Sequence, residues 1–370
     1  MPEGNGSDSQ AYEVHAIPTI SSKKEVAIVG GGLAGLTSGI EAIHNGMNVT
    51  VLEAAPHDDR LAEKPQIQTI TRPSQLGIAQ WFPFVEGGLP GDEQTEQVQW
   101  IEDSLDWYLA REIASGYRSS MARRRNIELM ETPEPVPDYL RHALERMGTV
   151  TEFGDLPENP LSFAYGYDFT TLAFNTPEAL AAMRREFTDL GGTIMTRRIH
   201  DQNELRQLHA DAIMNCTGLT GTDVFPDPNL EGVKGHIMFY DNPGVDRIIS
   251  ANDLIMLPRN DRILALGCLY LHEFDSLEPT DEEARDIRTR IDQLTGIDIE
   301  QFEGIAEKLR EAKFLGSSAG LRPYRRGGIR VAAESSEGVL TVHNTGHGGA
   351  GWTEAPGTAK AAVRLIQANL

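Results

Sequence analysis

The sequence predicts an α/β fold in which an open, mostly parallel sheet is interleaved with a second part built on a mainly antiparallel sheet. Three observations predict it: a β-α-β pattern near the start, several strand-like segments in succession between residues 234 and 274, and intervening segments of helical periodicity. The β-α-β unit comes first. EVAIVG at 25–30 is a short β-branched run, AGLTSGIEAIHNG spaces Leu36, Ile40 and Ile43 as a helix does until Gly46 stops it, and NVTVLEAA returns to strand character. A long amphipathic helix is predicted over 92–115, where Val98, Ile101, Leu105, Leu109 and Ala114 recur among charges. The proline- and glycine-rich stretch 132–160 reads as loop, PEALAAMRREFTDLGG as a helix with a glycine stop, GTIMTRRI and ADAIMNCTG as strands, and 280–314 as helical.

Composition narrows the function classes. The chain has 370 residues, enough for two domains, and 55 acidic against 33 basic side chains give it a formal charge of -22. That charge repels phosphate backbones and anionic lipid, so neither nucleic acid nor membrane is expected as a partner. The run Arg123-Arg124-Arg125 reads as a solvated face. Cys216 and Cys268 both sit in apolar contexts, which predicts buried free thiols in a reducing compartment. The first twenty residues lack a basic segment followed by an apolar run, and no stretch of eighteen apolar residues occurs. A flexible tail over 1–22 and a cytoplasmic location are expected, with peroxisomal import left open although IQANL is not a peroxisomal tripeptide.

Two glycine clusters carry chemistry. Gly30, Gly32 and Gly35 satisfy GxGxxG between a strand and a helix, and Glu53 closes the next strand. In that context Gly30 makes the tight turn, Gly32 lets backbone approach a pyrophosphate, Gly35 lets helix pack on strand, and Glu53 accepts from ribose hydroxyls. An acidic residue there favours FAD or NAD over NADP. The second cluster is HNTGHGGAGWTEAPG at 343–357, whose small residues bring backbone close to something just before a C-terminal helix.

In these motifs and the segments that follow them the chain resembles the D-amino-acid oxidase family of flavoproteins, which includes the D-aspartate oxidases. YDFTTLAFNTPEALAAMRREFTDLGGTI, ADAIMNCTGLTG, GLRPYRRGGIRV and HNTGHGGAGWT follow the family's order and spacing, well from about residue 165 onward and patchily from 60 to 160. The resemblance implies a Rossmann-type FAD-binding domain assembled from 23–85, 190–233 and 320–370, with 86–189 and 234–319 forming the substrate domain. It implies FAD held by Gly30, Gly32, Leu33, Ala34, Gly35, Glu53, Ala54, Ser74, Ile199, Cys216, Thr217, Gly218 and Arg330. Gly348, Gly349, Gly351, Trp352 and Thr353 would meet the flavin end, where main-chain donors and a helix N-terminus stabilise the charge of the reduced ring. No metal is expected.

The resemblance also assigns Arg322, in GLRP, to the substrate carboxylate, which a planar guanidinium grips through two parallel hydrogen bonds. It is the one residue implied as catalytic, through orientation, because the family passes a hydride from the substrate Cα to flavin N5 without a general base. The family's two pocket tyrosines fall on Ala251 and Ile255, and its active-site glutamine falls on Phe82. Tyr270 and Trp352 are assigned to the substrate site, with Tyr240, His272 and His347 nearby. The expected activity is oxidation of an amino acid C–N bond with dioxygen as acceptor, giving imino acid, then 2-oxo acid and ammonia, and hydrogen peroxide. Two alternatives stay open, an oxidase or dehydrogenase of an unusual amine or imino acid and a non-catalytic flavin-binding protein; a homodimer is also left open.

Overall fold

The computed structural model describes residues 23–55, 73–83, 95–133, 136–267, 269–336 and 338–370. The expected tail over 1–22 and Cys268 lie outside them. β1 (Glu25–Val29), α1 (Leu33–His44) and β2 (Asn48–Glu53) form the opening unit as predicted. α2 (Pro73–Leu76), β3 (Ala79–Gln80), α3 (Thr95–Glu112) and β4 (Met121–Met130) follow. The predicted loop over 132–160 instead contains α4 (Asp138–Glu145) and β5 (Thr151–Phe153). Pro137 stands at the N-cap, outside the helix, and Leu140, Ala143 and Leu144 then share one buried face.

β6 (Tyr165–Phe174) leads into α5 (Thr176–Asp189), which has proline in its first turn and is followed by β7 (Thr193–Thr196), α6 (Gln202–Arg206) and β8 (Ala212–Asn215). The strands predicted between 234 and 274 are β9 (Leu230–Asp241), β10 (Ile248–Ala251), β11 (Leu254–Pro258) and β12 (Ile263–Gly267). The helical stretch 280–314 is two helices, α7 (Asp281–Thr295) and α8 (Ile305–Glu311). Thr280 and Glu283 form a capping box on α7, and Gly304, at φ 72°, starts α8 from a left-handed conformation. β13 (Phe314–Arg325), β14 (Arg330–Ser336), β15 (Val339–Thr345) and α9 (Gly351–Asn369) complete the chain.

Among the described residues these strands form two sheets. The six-stranded one has the order β14-β15-β8-β1-β2-β7, parallel except for the edge strand β14. The nine-stranded one runs β13-β9-β12-β11-β10-β4-β6-β3 with β5 on β6, and only β10 and β4 pair in parallel. Thus β3 and the 320–325 end of β13 belong to the second sheet although the sequence reading grouped them with the first, while α5 packs on α1.

α9 joins the layers by packing on both α1 and α3. A Cβ on Gly357 would stand 2.0 Å from the Trp100 carbonyl oxygen, so only glycine permits the α3–α9 approach. The Gly357 amide donates to Ser104 Oγ at 2.8 Å there.

The two faces of the large sheet differ. One buries Ile249, Ala251, Met256 and Leu266 against Ile287 and Ile291 of α7. The other packs Leu76 of α2 and Ile78 on Ile237, Phe239, Ala265 and Leu257, and it carries the candidate site.

Candidate active site

At the end of β1 each glycine has its own role. Gly30 sits at φ 116°, and a Cβ there would lie 2.3 Å from the Cys216 carbonyl oxygen; one on Gly35 would lie 1.8 Å from the Gly30 oxygen. These two close the turn and dock α1 on the sheet. Among the described residues the nearest atom to a Cβ added at Gly32 is Ser74 Oγ at 3.6 Å, an ordinary contact, so Gly32 is not required for packing there as Gly30 and Gly35 are. Gly32 caps α1 without a side-chain hydrogen bond, leaving the first amides of the helix available to an anion. Leu33 is buried in the core, Ala34 packs against it, and Ala54 is exposed beyond β2.

Glu53 is 3 % exposed and lies close under Gly31, whose absent Cβ leaves room for the carboxylate. Arg184 of α5 holds it with Nη1 at 2.8 Å and Nη2 at 3.1 Å. The bidentate arginine fixes the orientation of the Glu53 carboxylate at the end of β2. Arg184 had no signal in the sequence beyond its place on a predicted helix.

Cys216, Thr217 and Gly218 leave β8 against Gly30, with Thr217 Oγ1 donating to Asn215 Oδ1 at 2.8 Å. Burial pushes the Cys216 thiol up to about 12, which makes it an inert packing group. Ile199 is buried with Val29, Leu52 and Ile213 at the same edge of the sheet.

The glycine loop before α9 borders the second sheet. The Gly348 amide donates to the Pro323 oxygen at 2.9 Å, and Gly348 adopts φ 53°. Cβ atoms on Gly348 and Gly349 would stand 3.3 Å and 3.5 Å from Tyr270, and one on Gly349 would stand 4.0 Å from Arg322 Cδ. α9 then starts at Gly351 without a side-chain cap. Trp352 turns its indole into the core, 4.9 Å from the Phe174 ring, with Nε1 donating to the Ser74 oxygen at 3.2 Å. Thr353 Oγ1 donates to the Phe82 oxygen at 2.7 Å, and the Phe82 ring stacks on Phe169 at 5.3 Å. Phe82 is thereby a structural clamp. A glutamine stands two residues earlier, Gln80, whose buried Oε1 has no hydrogen-bond partner among the described residues. His347 bonds Thr358 Oγ1 at 2.9 Å, and burial lowers it to about 4, so it is neutral.

Arg322 lies on the site face of β13. Its guanidinium covers Gly235, donates through Nη1 to the Leu269 oxygen at 3.0 Å, and sits 4.7 Å from the Tyr270 ring centroid. Among the described residues no carboxylate pairs with it. Its neighbours contrast with it: Arg325 pairs with Asp227 at 2.8 Å, Arg326 with Glu231 at 3.4 Å, and Arg330 with Glu334 at 3.0 Å and Asp227 at 3.6 Å. Arg330 is thus occupied by two protein carboxylates, Glu334 on β14 and Asp227 ahead of β9.

The pocket positions need one correction. Ala251 pairs with Leu254, and both side chains enter the core under α7. Ser250 pairs with Ile255, and these two share the face that carries Arg322. Tyr240 also points away, into the α7 core and toward Phe314. His272 is an edge residue, 3.2 Å from Glu231 and in ring contact with Tyr270 and Tyr324.

Two uncapped helix N-termini, the glycine turn at Gly30–Gly32 and a buried carboxylate at the end of β2 fit a dinucleotide whose second end reaches the loop beside Arg322. The chain belongs to the FAD dependent oxidoreductase (DAO) family, whose sequence pattern matches residues 25–365. It is a flavoprotein oxidoreductase with FAD as cofactor.

The chain is 26% identical to the D-amino-acid oxidase of Rubrobacter xylanophilus over 348 residues, 93% of this chain and 96% of that protein. It is 29% identical to human D-aspartate oxidase over 209 residues, 55% of this chain and 58% of that one. Glycine oxidase from Bacillus cereus shares the fold with a TM-score of 0.66 at 15% identity, covering 94% of this chain and 96% of that one. L-proline dehydrogenase from P. horikoshii superposes with a TM-score of 0.64 at 16% identity, over 94% of each chain. Among the described residues no helix is long and apolar enough to cross a membrane.

Proposed function

We propose that the protein oxidises the C–N bond of an amino acid whose carboxylate is held by Arg322, most simply a D-amino acid. The observation that carries this reading is the half-buried Arg322 guanidinium, which pairs with no carboxylate among the described residues and lies beside the glycine loop before α9. An uncompensated guanidinium costs desolvation energy that a substrate carboxylate offsets through two charge-assisted hydrogen bonds. Tyr270 and the Leu269 oxygen fix its plane, so the bound substrate has one orientation. The Gly348–Thr353 backbone would hold the redox end of the cofactor, and the Gly32 backbone with Glu53 would hold its phosphates and ribose. When bound, FAD supplies the hydride acceptor and passes the electrons on, by this proposal to dioxygen.

A second reading, oxidation of an unusual amine or imino acid, is favoured by apolar Ile255 at a position where the family resemblance expects a tyrosine. Peroxide release screened over D-, L- and N-methyl amino acids separates the two. Turnover of ordinary D-amino acids supports the first, and silence on them with turnover of another amine supports the second.

A further inference from the structure

Glu128 of β4 is a carboxylate buried to 9 % exposure with no cation beside it among the described residues. Its partners are uncharged: Ser250 Oγ, and Asn126 Nδ2 at 3.4 Å, while Ser250 Oγ also lies 3.1 Å from Asn126 Oδ1. Ser250 has one proton to give. With Glu128 ionised, Ser250 and Asn126 both donate to it; with Glu128 protonated, the acid donates to Ser250 and Ser250 to Asn126. The cluster is satisfied in either state, and burial lifts the Glu128 carboxyl to about 7.

Strand register places this cluster. Glu128, Ser250, Ile255, Gly267 and Ile237 form one cross-strand row on the face that carries Arg322. Asn126 lies opposite Phe169, which stacks on Phe82, whose main chain bonds Thr353 in the first turn of α9. Ile78 Cδ1 lies 3.3 Å from where a Cβ on Gly267 would stand, and Ile78 and Ile255 pack against the same cluster.

Four strand spacings separate Glu128 from Ile237, about 19 Å. The Arg322 guanidinium covers Gly235, two residues along the same strand as Ile237. Allowing for the reach of the Glu128 side chain and for ion-pair contact at both ends, about 7–10 Å remains between a carboxylate on Arg322 and a group meeting Glu128.

We propose that Glu128 determines substrate specificity by pairing with a cationic group at the far end of an amino acid held by Arg322, which makes a basic amino acid of lysine or arginine length the preferred substrate. This rests on the reading of Arg322 as the carboxylate clamp. The apolar floor at Ile255 and Ile237 carries the methylene chain, and the uncharged partners of Glu128 orient its oxygens without neutralising them. A short basic amino acid such as 2,3-diaminopropionate does not span the distance.

Arginine and citrulline, nearly identical in shape and different in charge, provide the test. Each enantiomer is titrated into the FAD-loaded full chain, and binding is read from the perturbation of the flavin absorbance, with turnover measured alongside. Arginine is expected to bind at least about tenfold better than citrulline, and Glu128→Gln brings that ratio to about one. Equal binding of the two by the unaltered protein, or an unchanged ratio in Glu128→Gln, overturns the proposal. If it fails alone, citrulline still binds and Arg322→Met abolishes that binding. If the Arg322 reading is what fails, neither amino acid perturbs the flavin, or Arg322→Met makes no difference.

Discussion

The Arg322 guanidinium stands 4.7 Å from the centroid of the Tyr270 ring and donates to the Leu269 oxygen at 3.0 Å. Three other arginines within eight positions are tied to carboxylates, and Arg322 is not. Its charge is stabilised by a π-face and one carbonyl, which leaves the rest of the fork for a ligand.

Arg322→Lys therefore keeps the charge and loses the fork. It is expected to lower kcat/KM for carboxylate substrates by about 10²-fold or more without releasing FAD, as steady-state kinetics and flavin content will show. Unchanged kinetics would place the carboxylate elsewhere.

Gly32 and Gly35 separate cofactor contact from folding. Among the described residues the methyl of Gly32→Ala meets no atom within 3.4 Å, so the chain should fold normally while flavin affinity falls. Gly35→Ala drives a Cβ to 1.8 Å from the Gly30 oxygen and should lower the melting temperature of the apoprotein. Calorimetry with and without added FAD distinguishes them, and equal destabilisation of the two apoproteins would contradict the assignment.

Glu354 gives a pH dependence of stability. It is fully buried at the start of α9, accepts from Gln97 Nε2 at 3.0 Å, and is raised from 4.5 to about 7 by burial. Its native state holds a proton that the unfolded chain gives up, so the stability it contributes is present below pH 4.5 and is lost as pH rises to about 7. The loss is up to roughly 3 kcal/mol. Glu354→Gln removes this slope while Gln97 keeps an acceptor. Relative to the unaltered protein, the variant should gain stability between pH 4.5 and 7, measured by denaturant unfolding. A difference independent of pH counts against a protonated Glu354.

Gly357→Ala tests the α3–α9 contact. The new methyl would need to push Trp100 away, and a melting temperature lowered by the equivalent of about 1–3 kcal/mol is expected.

What the sequence made legible follows physical locality. GxGxxG, the strand before it and Glu53 are encoded within one β-α-β unit, and the structure sets Gly30, Gly32 and Gly35 in distinct steric environments there. Arg184 was invisible because its contact with Glu53 spans 131 residues. The Ala251 placement fails for a reason of register. Positions 251 and 255 share a face in a continuous strand, but a two-residue turn at Asn252-Asp253, with Asn252 at φ 55°, pairs Ala251 with Leu254 and brings Ser250 opposite Ile255. Glu128 carried no signal at all, since an acidic residue among arginines on an unrecognised strand reads as surface.

In the proposed function an amino acid carboxylate on Arg322 presents its C–N bond to FAD. Anaerobic mixing of the FAD-loaded protein with D- and L-amino acids, followed at the flavin absorbance band, tests it most directly. Bleaching by at least one amino acid, slowed by about 10²-fold or more in Arg322→Met, is the predicted result. No bleaching by any amino acid, or equal bleaching rates in the two proteins, would contradict it.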